Sequence, residues 1–222
     1  MDFDLIIFDC DGTLVDSEYL NNLATIQILH EQGLTGYDMA YAFAHFVGMR
    51  TSTIFQQIEA ETGHVFPADI NLQLVARGEE LSPQYLKDIP GAAELVREAA
   101  LHGKICVASN GYRETVISSL VRTGLKPFFP DEHIFTAVQV ARGKPAPDLF
   151  LYAAAQMNVV PSRCVVIEDS IPGVTGAVAA GMRVIGYSND HHHGDGYAAR
   201  LRAAGAADVM SSLIHIKNHL FN

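Results

Sequence analysis

Two aspartates, Asp9 and Asp11, follow directly on the apolar run Leu5–Phe8 in "LIIFDCDGTLVDSE". Carboxylates at the mouth of a buried strand repel one another and lose hydration, so something must offset that cost. Three more polar clusters stand at comparable places: Ser109 and Asn110 after "ICVA", Lys144 in "RGKPAPD", and Glu168 with Asp169 in "CVVIEDS". Any one of them reads as an ordinary turn or helix cap, because Asp, Ser and Asn favour such positions. Together they match phosphoryl transfer through an aspartyl intermediate. One carboxylate attacks phosphorus, and a second acid protonates the leaving oxygen and later activates water. A hard cation neutralises carboxylate and phosphate together. Asp9 and Asp11 are placed to divide the first two roles. Asp9, Glu168 and Asp169 offer the oxygen ligands that Mg2+ prefers, and such an ion removes the repulsion within the acidic cluster. Ser109, Asn110, Gly111 and the backbone N–H groups around Cys10 and Asp11 are expected to bind phosphate oxygens, with Lys144 balancing charge between nucleophile and phosphoryl group.

These residues need strands to aim them. Short apolar runs at 5–8, 105–109, 134–138, 164–168 and 183–187 alternate with helical patterns such as "GAAELVREAALHG", "RETVISSLVRTG", "PDLFLYAAAQMN" and "PGVTGAVAAG". Gly103, Gly124 and Gly181 follow helix ends, as C-terminal caps require. The alternation predicts an α/β fold, a doubly wound, mainly parallel sheet with ligands bound beyond the carboxyl ends of its strands. It breaks between Asp16 and Lys87, where the patterns are only helical, with Thr51 or Ser52 as the expected N-cap of "TSTIFQQIEAETG". The expected division is therefore an α/β core at 1–16 and 88–222 and an inserted helical domain at 17–87.

The chain has 222 residues, is 49% hydrophobic and carries a formal charge of −10, enough apolar content to bury a full core. The acidic balance, with no Lys/Arg stripe, argues against nucleic acid or anionic membrane as a partner. No apolar run is long enough to span a bilayer and the first strand begins by about residue 4, so a cytoplasmic location is expected. Cys10, Cys106 and Cys164 lack the spacing of a zinc site or disulfide framework and read as reduced core residues.

The four clusters, in this order, resemble the motifs of the haloacid dehalogenase-like superfamily: "DCDGTLVDS" the first, "VASNG" the second, "RGKPAPD" the third and "VIEDS" the fourth. "SIPGVTGAVAAGM" resembles the Gly/Ala-rich helix after the fourth. The resemblance implies a Rossmann-like core with a mobile helical cap. It also implies Asp9 as nucleophile, and Asp11 as acid/base whose backbone carbonyl meets the metal. Dehalogenases of the superfamily lack the second aspartate and need no metal, so Asp11 and the Glu168–Asp169 pair count against that chemistry. Phosphonate hydrolases need a cap lysine, and no lysine precedes Lys87. Mutases resembling β-phosphoglucomutase carry a histidine where this chain has Asn21. The resemblance thus favours a phosphatase of a small phosphorylated metabolite, a sugar phosphate or phosphorylated sugar acid, with the mutase as alternative. A phospho-accepting signalling module is a further alternative, but such modules are uncapped and place the acidic pair before the acceptor. In the helical region only Arg50 and Arg77 are arginines, and Arg50 is the expected partner for a substrate anion remote from the phosphate. His191, His192 and His193 read as a solvated loop, since adjacent histidines do not converge on one ion. The sequence leaves the oligomeric state open, monomer included.

Overall fold

The computed structural model describes residues 3–46, 49, 51–189 and 196–222, Ser52 by its backbone alone. The first strand, β1 (Leu5–Phe8), is buried at every position, as a strand covered on both faces must be. The chain turns back through β2 (Val15–Asp16), then runs through four helices, α1 (Glu18–Glu31), α2 (Met39–His45), α3 (Thr51–Thr62) and α4 (Ile70–Tyr85). It returns through β3 (Lys87–Asp88), antiparallel to β2 with Asp16 opposite Lys87. The remainder alternates: α5 (Ala92–His102), β4 (Lys104–Ser109), α6 (Arg113–Arg122), β5 (Ile134–Thr136), α7 (Asp148–Gln156), β6 (Cys164–Glu168), α8 (Ile171–Ala179), β7 (Arg183–Tyr187), α9 (Tyr197–Ala203), β8 (Asp208–Met210) and α10 (Leu213–Phe221).

The six main strands lie in the order β5-β4-β1-β6-β7-β8 and every pairing is parallel, so the doubly wound sheet expected from the alternation is present. The chain starts at the centre, builds outward through β4 and β5, then crosses to β6 and builds the other way. The strand order therefore reverses at β1, and the carboxyl ends of β4, β1 and β6 surround the switch point where such sheets bind ligands. Alternate strand residues point to opposite faces. Leu5, Ile7, Cys106, Ala108, Cys164, Val166 and Val184 form one core with Phe150 and Ala153 of α7 and Val174 and Ala177 of α8. All three cysteines are buried and reduced. Burial raises the Cys106 thiol well above its usual range and the Cys164 thiol to about 11, so both pack as small apolar groups.

The chain divides into two compact units, Met1–Asp16 with Lys87–Asn222, and Ser17–Leu86. The helical unit has its own core. Ile26, Ile28 and Leu29 of α1 meet Ala42, Phe46, Ile54, Phe55, Ile58, Phe66 and Ile70. Arg77 of α4 ties that unit together on its surface, donating to Gln27 (2.9 Å), Glu31 (2.8 Å) and Glu80 (3.1 Å).

Local expectations differ from the structure in a few places. Thr51 is already helical, so it is not the N-cap of α3. The 134–138 run yields a strand only to Thr136, whose N–H donates to Gln139 Oε1 (2.7 Å) as the chain turns into a short 3-10 helix. β8 is half-buried at an edge, so it lacks the apolar run that marks the inner strands. α4 was not marked by its sequence because Gly78 and Pro83 lie inside it, both unfavourable in helices. Arg50 and His191, His192 and His193 lie outside the described residues. Among the described residues no helix is long and apolar enough to cross a membrane.

Candidate active site

Asp9 continues the β1 ladder by one residue, its N–H donating to Ile167 O of β6 (3.0 Å). The chain then doubles back: Leu14 and Val15 donate to the Cys10 carbonyl (2.9 Å each), and Gly12 donates to Val15 O (2.8 Å). Gly12 makes this turn at φ +81°, and a Cβ there would lie 2.1 Å from Asp169 Oδ2. Both its backbone conformation and its missing side chain are therefore required. The turn lets Thr13 Oγ1 donate to Asp169 Oδ1 (3.0 Å) across 156 residues of chain. Cys10 is fully buried. Burial and then Asp11 and Asp9 hold its thiol well above the usual range, so only its main chain is available to a ligand.

Beyond β6, Glu168 is 0% exposed. Its Oε1 accepts from Ser170 N (3.1 Å) and Ser170 Oγ (2.7 Å), while Ser170 Oγ accepts from Gly173 N (3.1 Å) as the N-cap of α8. The carboxylate thus sits at the positive end of a helix. It fits there because residue 173 is glycine: a Cβ at that position would lie 2.0 Å from Glu168 Cδ.

Lys144 joins the two strand ends. Its Nζ donates to Asp9 Oδ1 (2.5 Å) and Glu168 Oε2 (2.6 Å), with the lysine itself buried and the ammonium 5.1 Å from the centre of the Phe150 ring. Burial alone would discharge it, but Asp9 and Glu168 reverse that and hold it charged. Its main chain is gripped by Asn110 after β4: Lys144 N donates to Asn110 Oδ1 (2.9 Å) and Asn110 Nδ2 donates to Lys144 O (3.0 Å). This differs from the substrate contact expected of Asn110, because its side-chain amide is engaged with the lysine loop. Gly143 permits the approach, since a Cβ there would lie 2.5 Å from Asn110 Oδ1. Ser109 is buried and its Oγ accepts from Gly111 N (3.0 Å). The Gly111 amide assigned to a phosphate oxygen is therefore directed at Ser109. A Cβ built on Gly111 would lie 3.3 Å from Ser109 Oγ and 3.6 Å from Asp11 Oδ2, so the first and second motifs meet here. Asp11, unlike Asp9, is exposed.

The electrostatics are unbalanced. Oxygens of Asp9, Glu168 and Asp169 lie within 4.8 Å of one another, all three residues buried, and the Lys144 ammonium pairs with the first two. Burial and Glu168 raise Asp9 well above the usual carboxylate range, against the pull of Lys144. The same two causes raise Asp169 to about 8, against Thr13 and Lys144. An oxygen-only cluster with surplus negative charge suits a hard divalent cation. The structure thus brings Asp9, Asp11, Ser109, Asn110, Gly111, Lys144, Glu168 and Asp169 to the ends of three adjacent strands. Several contributors were not anticipated. Thr13, Ser170, Gly173 and Phe150 act through the residues above. Of these, Ser170 had a readable signal, a Ser before Ile-Pro-Gly at a helix start. Tyr197 of α9 donates from its hydroxyl to Asp169 O (2.9 Å); burial and the Asp169 carboxylate raise its phenol, so it keeps that proton.

The comparisons agree with this geometry. The family model for haloacid dehalogenase-like hydrolases matches residues 3–181. The chain is 34% identical to the 6-phosphogluconate phosphatase of Escherichia coli over 85% of its own length and 84% of that protein's. A haloacid dehalogenase-like protein from Agrobacterium tumefaciens superposes with a TM-score of 0.85 at 36% identity, covering 98% of this chain and 97% of that one. A family hydrolase from Deinococcus radiodurans, solved with phosphate and sodium bound, gives 0.83 at 35% identity over 99% and 95%. The chain belongs to the haloacid dehalogenase-like hydrolase family, and it stands with the phosphatases of that family.

Proposed function

We propose that the protein hydrolyses the phosphate monoester of a small phosphorylated metabolite, a sugar phosphate or a phosphorylated sugar acid. The observation that carries this reading is the buried carboxylate cluster around Lys144, with an exposed second aspartate and a buried serine beside it. An Asp9 carboxylate oxygen attacks phosphorus as the bond to the ester oxygen breaks, and Asp11 supplies that oxygen with a proton. Asp11, now a carboxylate, takes a proton from water, whose oxygen displaces Asp9 and leaves as inorganic phosphate. Lys144 orients Asp9, and Ser109 with the backbone N–H groups of Cys10 and Asp11 meets phosphoryl oxygens as negative charge shifts among them. Asp9, Glu168, Asp169 and the Asp11 carbonyl would hold Mg2+, which supplies positive charge to the phosphoryl group.

The helical unit, Ser17–Leu86, is proposed to select the leaving group, with Arg50 reading an anion distant from the phosphate. The similarity to a 6-phosphogluconate phosphatase supports a phosphorylated sugar acid as first candidate. Membership of a hydrolase family favours this over the signalling module, and a cytoplasmic location is consistent with three reduced cysteines.

The test is phosphate release from a panel of phosphorylated sugars, sugar acids and glycolate, with and without Mg2+, plus acid-quench trapping of phosphate on Asp9. Release from a sugar acid phosphate, abolished by chelation, is expected. Conversion of a hexose 1-phosphate to its 6-phosphate without release would establish the mutase alternative instead.

A further inference from the structure

The Asp169 carboxylate is fixed by Thr13, but a side chain is only as well placed as the main chain that bears it. Residues 168–171 leave the sheet and enter α8 within three peptide bonds, and the first N–H groups of a helix have no partner inside it. Ser170 Oγ meets the Gly173 N–H. The Tyr197 hydroxyl donates its proton to Asp169 O (2.9 Å). One phenol thus holds the main chain of the turn that carries the acidic pair. It comes from α9, 28 residues further along the chain and after β7 in sequence. The Tyr197 ring is half-buried, packs against the core beside α8 and carries Arg200 5.4 Å from its centre, so the hydroxyl is held in place by packing.

We infer that Tyr197 is a positioning residue for the divalent cation, holding the Asp169 main chain so that Asp169 and Glu168 present their oxygens together. It touches neither substrate nor reacting atoms. Partners that orient a ligand's backbone or carboxylate act on metal affinity. The hydroxyl is therefore expected to govern how tightly the cation binds rather than how the bound enzyme turns over. The inference rests on the proposed metal-dependent reading of the same site.

Tyr197→Phe removes the hydroxyl and keeps the ring, so α9 keeps its packing. Mg2+ alone is titrated into the purified, metal-free protein by calorimetry, and in parallel the rise in Tm with Mg2+ concentration is followed. The expected result is a Kd for Mg2+ weakened about tenfold, a Tm curve displaced to higher Mg2+ by the same factor, and a metal-free Tm close to that of the parent. At saturating Mg2+ kcat should return to near the parent value. An unchanged Kd in the variant, with the parent binding Mg2+ normally, would overturn the inference and leave the phosphatase reading intact. A large drop in metal-free Tm with unchanged Kd would also overturn it, assigning the hydroxyl to folding. Failure of the parent itself to bind Mg2+ would remove both readings at once.

Discussion

Lys144 in the α/β unit and Arg77 in the helical unit each hold two carboxylates, yet they teach opposite lessons. Arg77 is partly solvent-exposed, its Glu31 and Glu80 partners more so, and water screens whatever charge is left over. It behaves as a clasp between helices. Lys144 is buried with Asp9 and Glu168, and a third carboxylate, Asp169, lies in the same cluster. Burial, and after it the Glu168 carboxylate, push Asp9 and Asp169 toward protonation. One arrangement is closed; the other is built to receive positive charge.

The largest expected effect removes a charge from the open cluster. Asp9→Asn keeps an acceptor for Lys144 but supplies neither an attacking carboxylate nor an anionic metal ligand. Turnover should fall by roughly a thousandfold or more, with no phosphate trapped on the protein. Metal-free Tm at about pH 8 should not fall, because one buried like charge is gone. Activity within tenfold of the parent would sink the nucleophile assignment.

The same substitution in two helices separates the regions next. Gly173→Ala forces a methyl to 2.0 Å from Glu168 Cδ, whereas Gly78→Ala in α4 places it where nothing lies within 4 Å. The first should destabilise by about 1–3 kcal/mol through forced displacement of packed groups and cut phosphate release about a hundredfold. The second should stabilise by about 0.5–1 kcal/mol, since alanine loses less freedom in a helix. Urea unfolding of both variants gives the signs; equal signs would erase the contrast.

The contrast also explains what was legible in the sequence. Asp9, Ser109 and Glu168 sit at the ends of apolar runs bounded by turn residues, and a parallel sheet brings such ends together whatever lies between. Their chemistry could be read before any distance was known. Asn110 was not readable in its actual role, because its clamp on Lys144 depends on two loops 34 residues apart and on Gly143 leaving room. Tyr197 carried no signal either: its hydroxyl reaches the acidic turn only through the packing of α9. In the helical unit the helical patterning was readable, with α3 marked by "TSTIFQQIEAETG", but α4 was hidden by Gly78 and Pro83, and with it the role of Arg77.

A smaller effect follows from the pKa shifts. A carboxyl whose folded pKa lies above its unfolded value binds more protons when folded, so stability falls as pH rises between the two values. For Asp169 that window runs from its ordinary range near pH 4 to about 8, and Asp9 shifts in the same direction. The acids with lowered pKa, Asp4, Asp131, Asp148 and Asp208, act below this window and leave it undisturbed. Metal-free protein should therefore lose several degrees of Tm from about pH 5 to pH 8, and Mg2+ should restore more at the upper end, where it displaces fewer protons. A Tm that is flat over this range in calorimetry would show that the cluster is neutral or already compensated.

The smallest expected effect tests the closed arrangement. Arg77→Ala removes contacts to Gln27, Glu31 and Glu80, but leaves those groups partly or fully in water, where they rehydrate. Exposed pairs are worth about 0–1 kcal/mol; three contacts on one half-sheltered guanidinium argue for the upper part of that range. Tm should drop by a few degrees, the loss should shrink at high salt, and hydrolysis of both the preferred metabolite and p-nitrophenyl phosphate should be unaffected at low temperature. A fall in kcat/KM for the metabolite alone, with Tm unchanged, would make Arg77 a reader of the substrate's second anion. The helical unit would then hold an open cation of its own, and the contrast with Lys144 would fail.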